Sequence, residues 1–275
     1  MTVRLNGRVF NTDMSTQVVL NGARPIKPNG LVPTSSPVGF FDVTWNGNHF
    51  YPPPSGSVLY LPGYPGQGSV ITDYSGQGNH GTIAGASWAM LPSGIWYLSG
   101  DGVDDWVDCG SGASLDNIAV KTITAWIYVN AGSTWWRIAT KAEQNDDGWL
   151  FTYDPSYLSF GQDFATTNGR WNTPANSILE ETWYLVAVVY DRALTTNDPI
   201  IYINGVSQVI TEVSTPVGTV NSDAASPLYV GARQLAGVAG GFFNGRIAFA
   251  RLYNRAITLD EIAGSFYNEK HLFGL

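Results

Sequence analysis

The run KTITAWIYV at 121–129 sets Thr122, Thr124, Trp126 and Tyr128 against Ile123, Ala125, Ile127 and Val129, the period-2 alternation of a β-strand. WYLVAVVYD at 183–191 is almost continuously apolar, as expected of a strand covered on both faces. In IIYINGVSQVI at 200–210, Asn204-Gly205 stands between two β-prone runs. Asn and Gly tolerate the positive φ of a type I′ turn, which predicts a hairpin there. GRIAFARLYN at 245–254 reads as a further alternating strand. One helix signal stands apart. Thr258 followed by Glu261 in TLDEIAGSFYNEKH fits a capping box, with Ile262 and Phe266 four residues apart behind it, and Gly264 keeps the helix short. Many strands separated by turn residues, with almost no helix, predict an all-β antiparallel sandwich.

Residues 1–56 break this pattern. NGARPIKPNGLVPTSSPVGFFDVTWNGNHFYPPPSGS is thick with Pro and Gly, which favour extended or turning backbone. Val3–Phe10 and Phe40–Trp45 are the two strand-like runs in it. The segment is too small and polar for its own core, so 1–56 is expected to be an extended arm or anchoring segment that packs on something else. PPPSG at 52–56 marks its boundary with the sandwich domain, 57–275.

Composition narrows the surface chemistry. Of 275 residues, 44% are apolar, 13% aromatic and only 13% charged, about half the usual charged share. Ser, Thr, Asn, Gln and Gly must therefore meet most of the water. The formal net charge of −8 argues against nucleic acid, whose phosphates attract basic surfaces. The single cysteine, Cys109, excludes an internal disulfide and reads as a small buried residue. The N-terminus lacks the apolar core of a secretory signal, and no window approaches the roughly 18 apolar residues of a membrane helix. The expectation is a chain that stays where it is made, or leaves by another route, without membrane insertion.

Five motifs in order, DYSGQGNHGTIAGASW, YLSGDGVDDWVDCG, ITAWIYV, TWYLVAVVYDRA with IYINGVSQV, and FFNGRIAFARLYNRAITLDEIAGSFYN, resemble the laminin-G-like, concanavalin A-like lectin/glucanase jelly rolls. The resemblance runs from about residue 57 to the C-terminus. It implies two antiparallel sheets of six or seven strands each. It also implies a structural calcium near DYSGQGNHG, where Asp73, Ser75 and Asn79 offer oxygens and Gly76, Gly78 and Gly81 permit tight turns. The alternative is an Asx-type turn, with Asp73 and Asn79 bonding their own backbone. Glu143, Asp146 and Asp147 in EQNDDG read as a solvated hairpin tip or a second cation loop. Asp101, Asp104 and Asp105 read as a turn.

The related glucan hydrolases carry two carboxylates on one strand as E-x-D-x-E, and no such run occurs here. His49, His80 and His271 lie outside any triad context, and His80 reads as part of a structural turn. No catalytic residues are expected. For binding, the ten tryptophans supply candidates: Trp135, Trp136, Trp149 and Trp171 fall in or beside central loops and strands. They stand either as faces that stack on sugars, as interface anchors, or as core. Strand parity requires one of Trp135 and Trp136 to face outward.

Three functions follow. The first is a non-catalytic virion protein, such as a phage head fibre, capsid decoration or tail-associated component. It would hold other virion proteins, or further copies of itself, through the arm and present a glycan- or protein-binding surface. The ending YNEKHLFGL resembles the tails of phage structural proteins with this jelly roll. The second is a bacterial carbohydrate-binding lectin at the cell surface or outside the cell. The third, a glycoside hydrolase, is disfavoured by the missing carboxylate pair.

Overall fold

The computed structural model describes residues 54–132, 136–143 and 147–275 in full, and the backbone of four short strands before them. Those four are β1 (Thr2–Leu5), β2 (Arg8–Asn11), β3 (Val43–Trp45) and β4 (Asn48–Phe50), paired antiparallel as β1 with β2 and β3 with β4. Beyond these strands, the arm expected over 1–56 lies outside the described residues up to residue 53.

The sandwich begins with β5 (Ser57–Leu61), β6 (Val70–Ile71), β7 (Gly81–Ala84), β8 (Ser87–Met90), β9 (Trp96–Asp101) and β10 (Trp106–Asp108). Then come β11 (Val120–Val129), β12 (Trp136–Lys141), β13 (Trp149–Asp154), β14 (Tyr157–Gln162), β15 (Gly169–Asn172) and β16 (Trp183–Asp191). They are followed by β17 (Ile200–Ile203), β18 (Val206–Ser207), β19 (Thr211–Ser214), β20 (Tyr229–Val230), β21 (Arg233–Leu235), β22 (Val238–Gly240) and β23 (Asn244–Tyr253). Helix α1 (Leu259–Glu269) and a 3-10 turn over Lys270–Phe273 come last.

Two antiparallel sheets form the sandwich. One has nine strands in the order β19-β15-β14-β13-β12-β20-β10-β7-β6. The other has eight, β18-β17-β16-β11-β23-β9-β8 with β5 also on β23. Both are wider than the six or seven strands expected, because two-residue strands such as β6, β18 and β20 join the ladders. The predicted hairpin is present: Asn204 and Gly205 take φ of 51° and 79° between β17 and β18. So is the capping box, in which Thr258 and Glu261 bond each other's backbone at the start of α1.

Alternation sorts the side chains. Ile123, Ile127, Val186 and Val188 from one sheet meet Trp149, Phe151 and Phe160 from the other in a single inter-sheet core. The opposite face of β11 and its neighbours carries Tyr60, Trp126, Trp183 and Phe249, and α1 with the final turn seals that face. Trp126 stacks on Phe273 with ring centroids 4.0 Å apart. A buried ion pair, Arg251 with Glu269 at 2.6 Å, locks the end of α1 onto β23, and the Trp126 indole donates to the same carboxylate at 2.6 Å. A bulge in β23 serves this arrangement. Phe249, at φ 51°, puts two successive residues, Ala248 and Phe249, on the helix side before Ala250 returns to the core. Cys109 is buried in the core, and burial pushes its thiol up.

A polar contact crosses between the sheets. Lys121 of β11 is wholly buried and donates to Gln162 Oε1 of β14 at 2.8 Å. Burial, then the nearby Arg192, push its ammonium down to about 7, against the pull of Asp223 and Asp191. The unfolded chain binds that proton up to about pH 10.4, so the folded state is penalised most below pH 7 and progressively less above it. Stability should therefore rise between pH 7 and 9.5, and Lys121→Met should flatten that rise and stabilise the protein at neutral pH. Urea unfolding of both proteins across this range checks the sign.

Candidate ligand-binding groove

The expected calcium site is built as a hydrogen-bonded turn. Asp73, buried after β6, accepts at Oδ1 from the backbone N–H of Tyr60 and Ser75, each at 2.9 Å. Its Oδ2 accepts from the Ser75 hydroxyl at 2.8 Å and from Asn79 N–H at 2.9 Å. His80 Nδ1 accepts from Asp73 N–H. The Asn79 amide nitrogen donates to Val58 O and Ser114 Oγ, and its oxygen lies against Gly112, where a Cβ would sit only 2.4 Å away. Four donors already fill the carboxylate's lone pairs, and their positive ends point where a cation would have to sit. The residues do not fit calcium; the Asx-type alternative describes them. Its work is to tie β5 to the turn that leads into β7.

Other acidic residues also hold backbone. Asp147 accepts from Glu143 N–H and Ser226 Oγ, and Glu143 accepts from Gly237 N–H. Asp146 lies outside the described residues. The carboxylates of Asp101, Asp104 and Asp105 stand within 4.8 Å of one another on the surface. There Asp101 accepts from Val103 N–H and Asp105 from Asp101 N–H, as a turn requires.

The tryptophans expected to form a sugar platform point inward instead. Trp149 and Trp171 are fully buried, and Trp136 packs against Tyr153 and Phe243. The Trp171 indole donates to Asp198 at 2.8 Å and its ring lies against Phe160 and Tyr190. The reason is parity: these rings alternate into the core, so their strand neighbours face out. Trp135 lies outside the described residues.

Those neighbours line a groove of about 420 Å³ on the outer face of the nine-stranded sheet. Cross-strand register aligns Arg137, Thr152, Ser159 and Asn172 in one row over β12 to β15. A second row holds Leu150, Gly161 and Arg170. Asp154 and Tyr157 close one end as partners across the β13–β14 hairpin, and Arg233 of the β21–β22 hairpin forms a wall beside β12. Partial burial, then the neighbouring Asp154 carboxylate, push the Tyr157 phenol up.

Gly161 explains how Arg170 lies. A Cβ there would meet Arg170 Nη1 at 1.6 Å, so the guanidinium rests directly on the strand, with its other nitrogen 3.4 Å from Asp163. Arg137 is only 6% exposed, yet its Nε has no hydrogen-bond partner. Burial, then Arg233 and Arg170, pull its guanidinium down to about 10, with Asp154 opposing. Burial and Arg170 act on Arg233 in the same direction. By contrast, a cavity of about 40 Å³ near Trp88, Trp96 and Trp106 is mostly apolar and belongs to the packing between sheets. Nothing in the spacing of Arg137, Arg170 and Arg233 marks them in the sequence; only the outward parity of β12 and β15, read against their buried tryptophans, would have pointed there.

The family profile described as concanavalin A-like lectin/glucanases superfamily matches residues 101–263, more than half of the chain. No curated protein matches the sequence. Among solved structures, the binding domain of Paraclostridial Mosquitocidal Protein 1 superposes with a TM-score of 0.56 at 14% identity, covering 77% of this chain and 52% of that one. The binding domain of botulinum neurotoxin DC in complex with SialylT gives 0.56 at 15%, covering 78% and 51%. Trypanosoma rangeli sialidase in complex with sialic acid gives 0.59 at 18%, covering 84% of this chain and 36% of the enzyme. The chain thus spans about half of the toxin domains and about a third of the sialidase, and these likenesses concern the fold.

The hydrogen-bonded reading of Asp73 has a direct check. Asp73→Ala strands the Tyr60 and Asn79 N–H groups and should cost about 2–5 kcal/mol of stability. Chelator should leave the melting temperature of the unmodified protein unchanged; a chelator-induced drop abolished by the same substitution would restore the cation.

Proposed function

This chain belongs to the concanavalin A-like lectin/glucanases superfamily, and from that premise we propose that it is a non-catalytic binding module whose outer-sheet groove holds a saccharide. The observation that carries the reading is the groove's lining. Thr152, Ser159 and Asn172 stand in one row as hydroxyl and amide partners, with the Tyr157 ring at its end. A sugar offers hydroxyls to such a floor and a C–H face to such a ring. Asp154 is the one carboxylate among the described groove residues, whereas glycoside hydrolysis by the usual routes uses a pair flanking the bond. The botulinum neurotoxin DC binding domain in complex with SialylT and Trypanosoma rangeli sialidase in complex with sialic acid support a sugar ligand in general terms.

Further to this, the module is an adhesin carried on a virion, with residues 1–56 as the anchor to other virion proteins or to further copies. The Pro- and Gly-rich composition of that segment and the phage-like ending support this setting. Antibody to residues 57–275 should label intact particles; label confined to host cells would sink the virion setting and leave the binding module.

The groove itself is tested by filling it. Ser159→Leu adds bulk to an outward-facing floor position and should leave the melting temperature within a degree or two. On a broad glycan array the unmodified protein should give reproducible hits that weaken at least tenfold in the variant. A blank array with folded protein would overturn the saccharide reading.

A further inference from the structure

Cations are scarce in this chain, with 14 Lys and Arg against 22 Asp and Glu, yet three arginines converge on one groove. They come from three elements, Arg137 from β12, Arg170 from β15 and Arg233 from the β21–β22 hairpin. Two carboxylates stand near them. Asp163 is fully buried and pairs with Arg170, while Asp154 sits at the hairpin end with Tyr157. Arg137 carries the energetic cost: the residue is buried, and its Nε is sealed from water without a hydrogen-bond partner among the described residues. A charge buried without a partner is costly, and a core packs better with an apolar residue in its place. Its guanidinium lines the groove, where an incoming anion would supply the missing acceptor.

We propose that the groove selects acidic saccharides, with Arg137, Arg170 and Arg233 receiving the carboxylate or sulfate while Thr152, Ser159, Asn172 and Tyr157 hold the sugar. This rests on the groove being the saccharide site. The planar forks of arginine suit both kinds of oxyanion bidentately. Gly161 belongs to the same device, because its missing side chain lets Arg170 lie along the groove floor. Burial first, and then the neighbouring guanidiniums, disfavour the charged forms of Arg137 and Arg233, and an anion bound among them would offset both. A row of hydroxyl and amide side chains beside the arginines favours a hydroxyl-rich ligand over an acidic peptide.

The test uses the full chain and three matched pairs of probes by calorimetry: sialyllactose with lactose, tetragalacturonate with its methyl ester, and a chondroitin sulfate tetrasaccharide with its desulfated form. At least one acidic probe should bind tenfold or more tighter than its neutral partner, and added salt should erode the difference. The pair that responds separates carboxylate from sulfate recognition. Arg137→Met and, separately, Gly161→Val should each abolish the preference while thermal melting shows a folded protein. Both act without adding charge, so a loss in either variant supports the arginine cluster even if the other fails to fold. Equal binding of acidic and neutral partners, unchanged in the variants, would overturn acid selection and leave a neutral saccharide groove. No binding by any saccharide would overturn the groove reading as well. Tighter binding of polyglutamate than of every saccharide would overturn the proposal in favour of a protein partner.

Discussion

A side chain on a β-strand faces one side of its sheet or the other, and its neighbour must take the opposite side. In β12 to β15 that parity decides everything about the outer surface. Trp136, Trp149, Phe151, Phe160 and Trp171 go into the inter-sheet core, so Arg137, Leu150, Thr152, Ser159, Arg170 and Asn172 go out. A slip of one residue would put the arginines into the core and the tryptophans into water. The burial of five large rings therefore fixes the groove's chemistry as firmly as any contact made within it. The groove is the reverse side of the core.

The two sheets are treated differently by what surrounds them. The eight-stranded sheet is apolar on its outer face as well, and α1 with the final turn covers it. The Arg251–Glu269 pair, with Trp126 bonded to the same carboxylate, sets where the helix docks. A pair buried this completely adds little net stability against an apolar substitute, but removing one partner would leave a bare charge in the core. Among the described residues the nine-stranded sheet has no such cover over β13 to β15, and it keeps polar side chains there. Asp73 completes the frame by gathering four donors, so that the long crossing from β5 to β7 has one backbone path.

Within the groove, stability and binding pull in opposite directions. Three guanidiniums share one recess, and one of them belongs to a buried residue whose Nε has no hydrogen-bond partner among the described residues. Folding alone would favour methionine or leucine at position 137. That such a cost is carried by the rigid strands, rather than by a loop, keeps the cations at defined positions for a ligand. Lys121 illustrates the contrast. It too is a buried cation, but it lies between the sheets, bonded to Gln162, and has no path to a ligand.

The local rules were legible in the order of residues. Alternation in KTITAWIYV, the Asn204-Gly205 turn and the Thr258–Glu261 capping box each depend on neighbours a few positions apart, and each stands where it was expected. The ordered motifs pointed to the superfamily that residues 101–263 match. What the order of residues left open was which side of each strand becomes the core. Trp and Arg both suit an outer face, so the order of residues leaves Trp136, Trp149 and Trp171 open between sugar platform, interface anchor and core, and the structure buries them. Asp73 likewise offered a carboxylate whose partners could be a cation or backbone, and only the approach of Tyr60 N–H from β5 decided between them. The arginine cluster was invisible for the same reason. Arg137, Arg170 and Arg233 are far apart along the chain, and only sheet register and a folded-over hairpin bring them to one groove. Periodicity is a property of neighbours in sequence; a site is a property of neighbours in space.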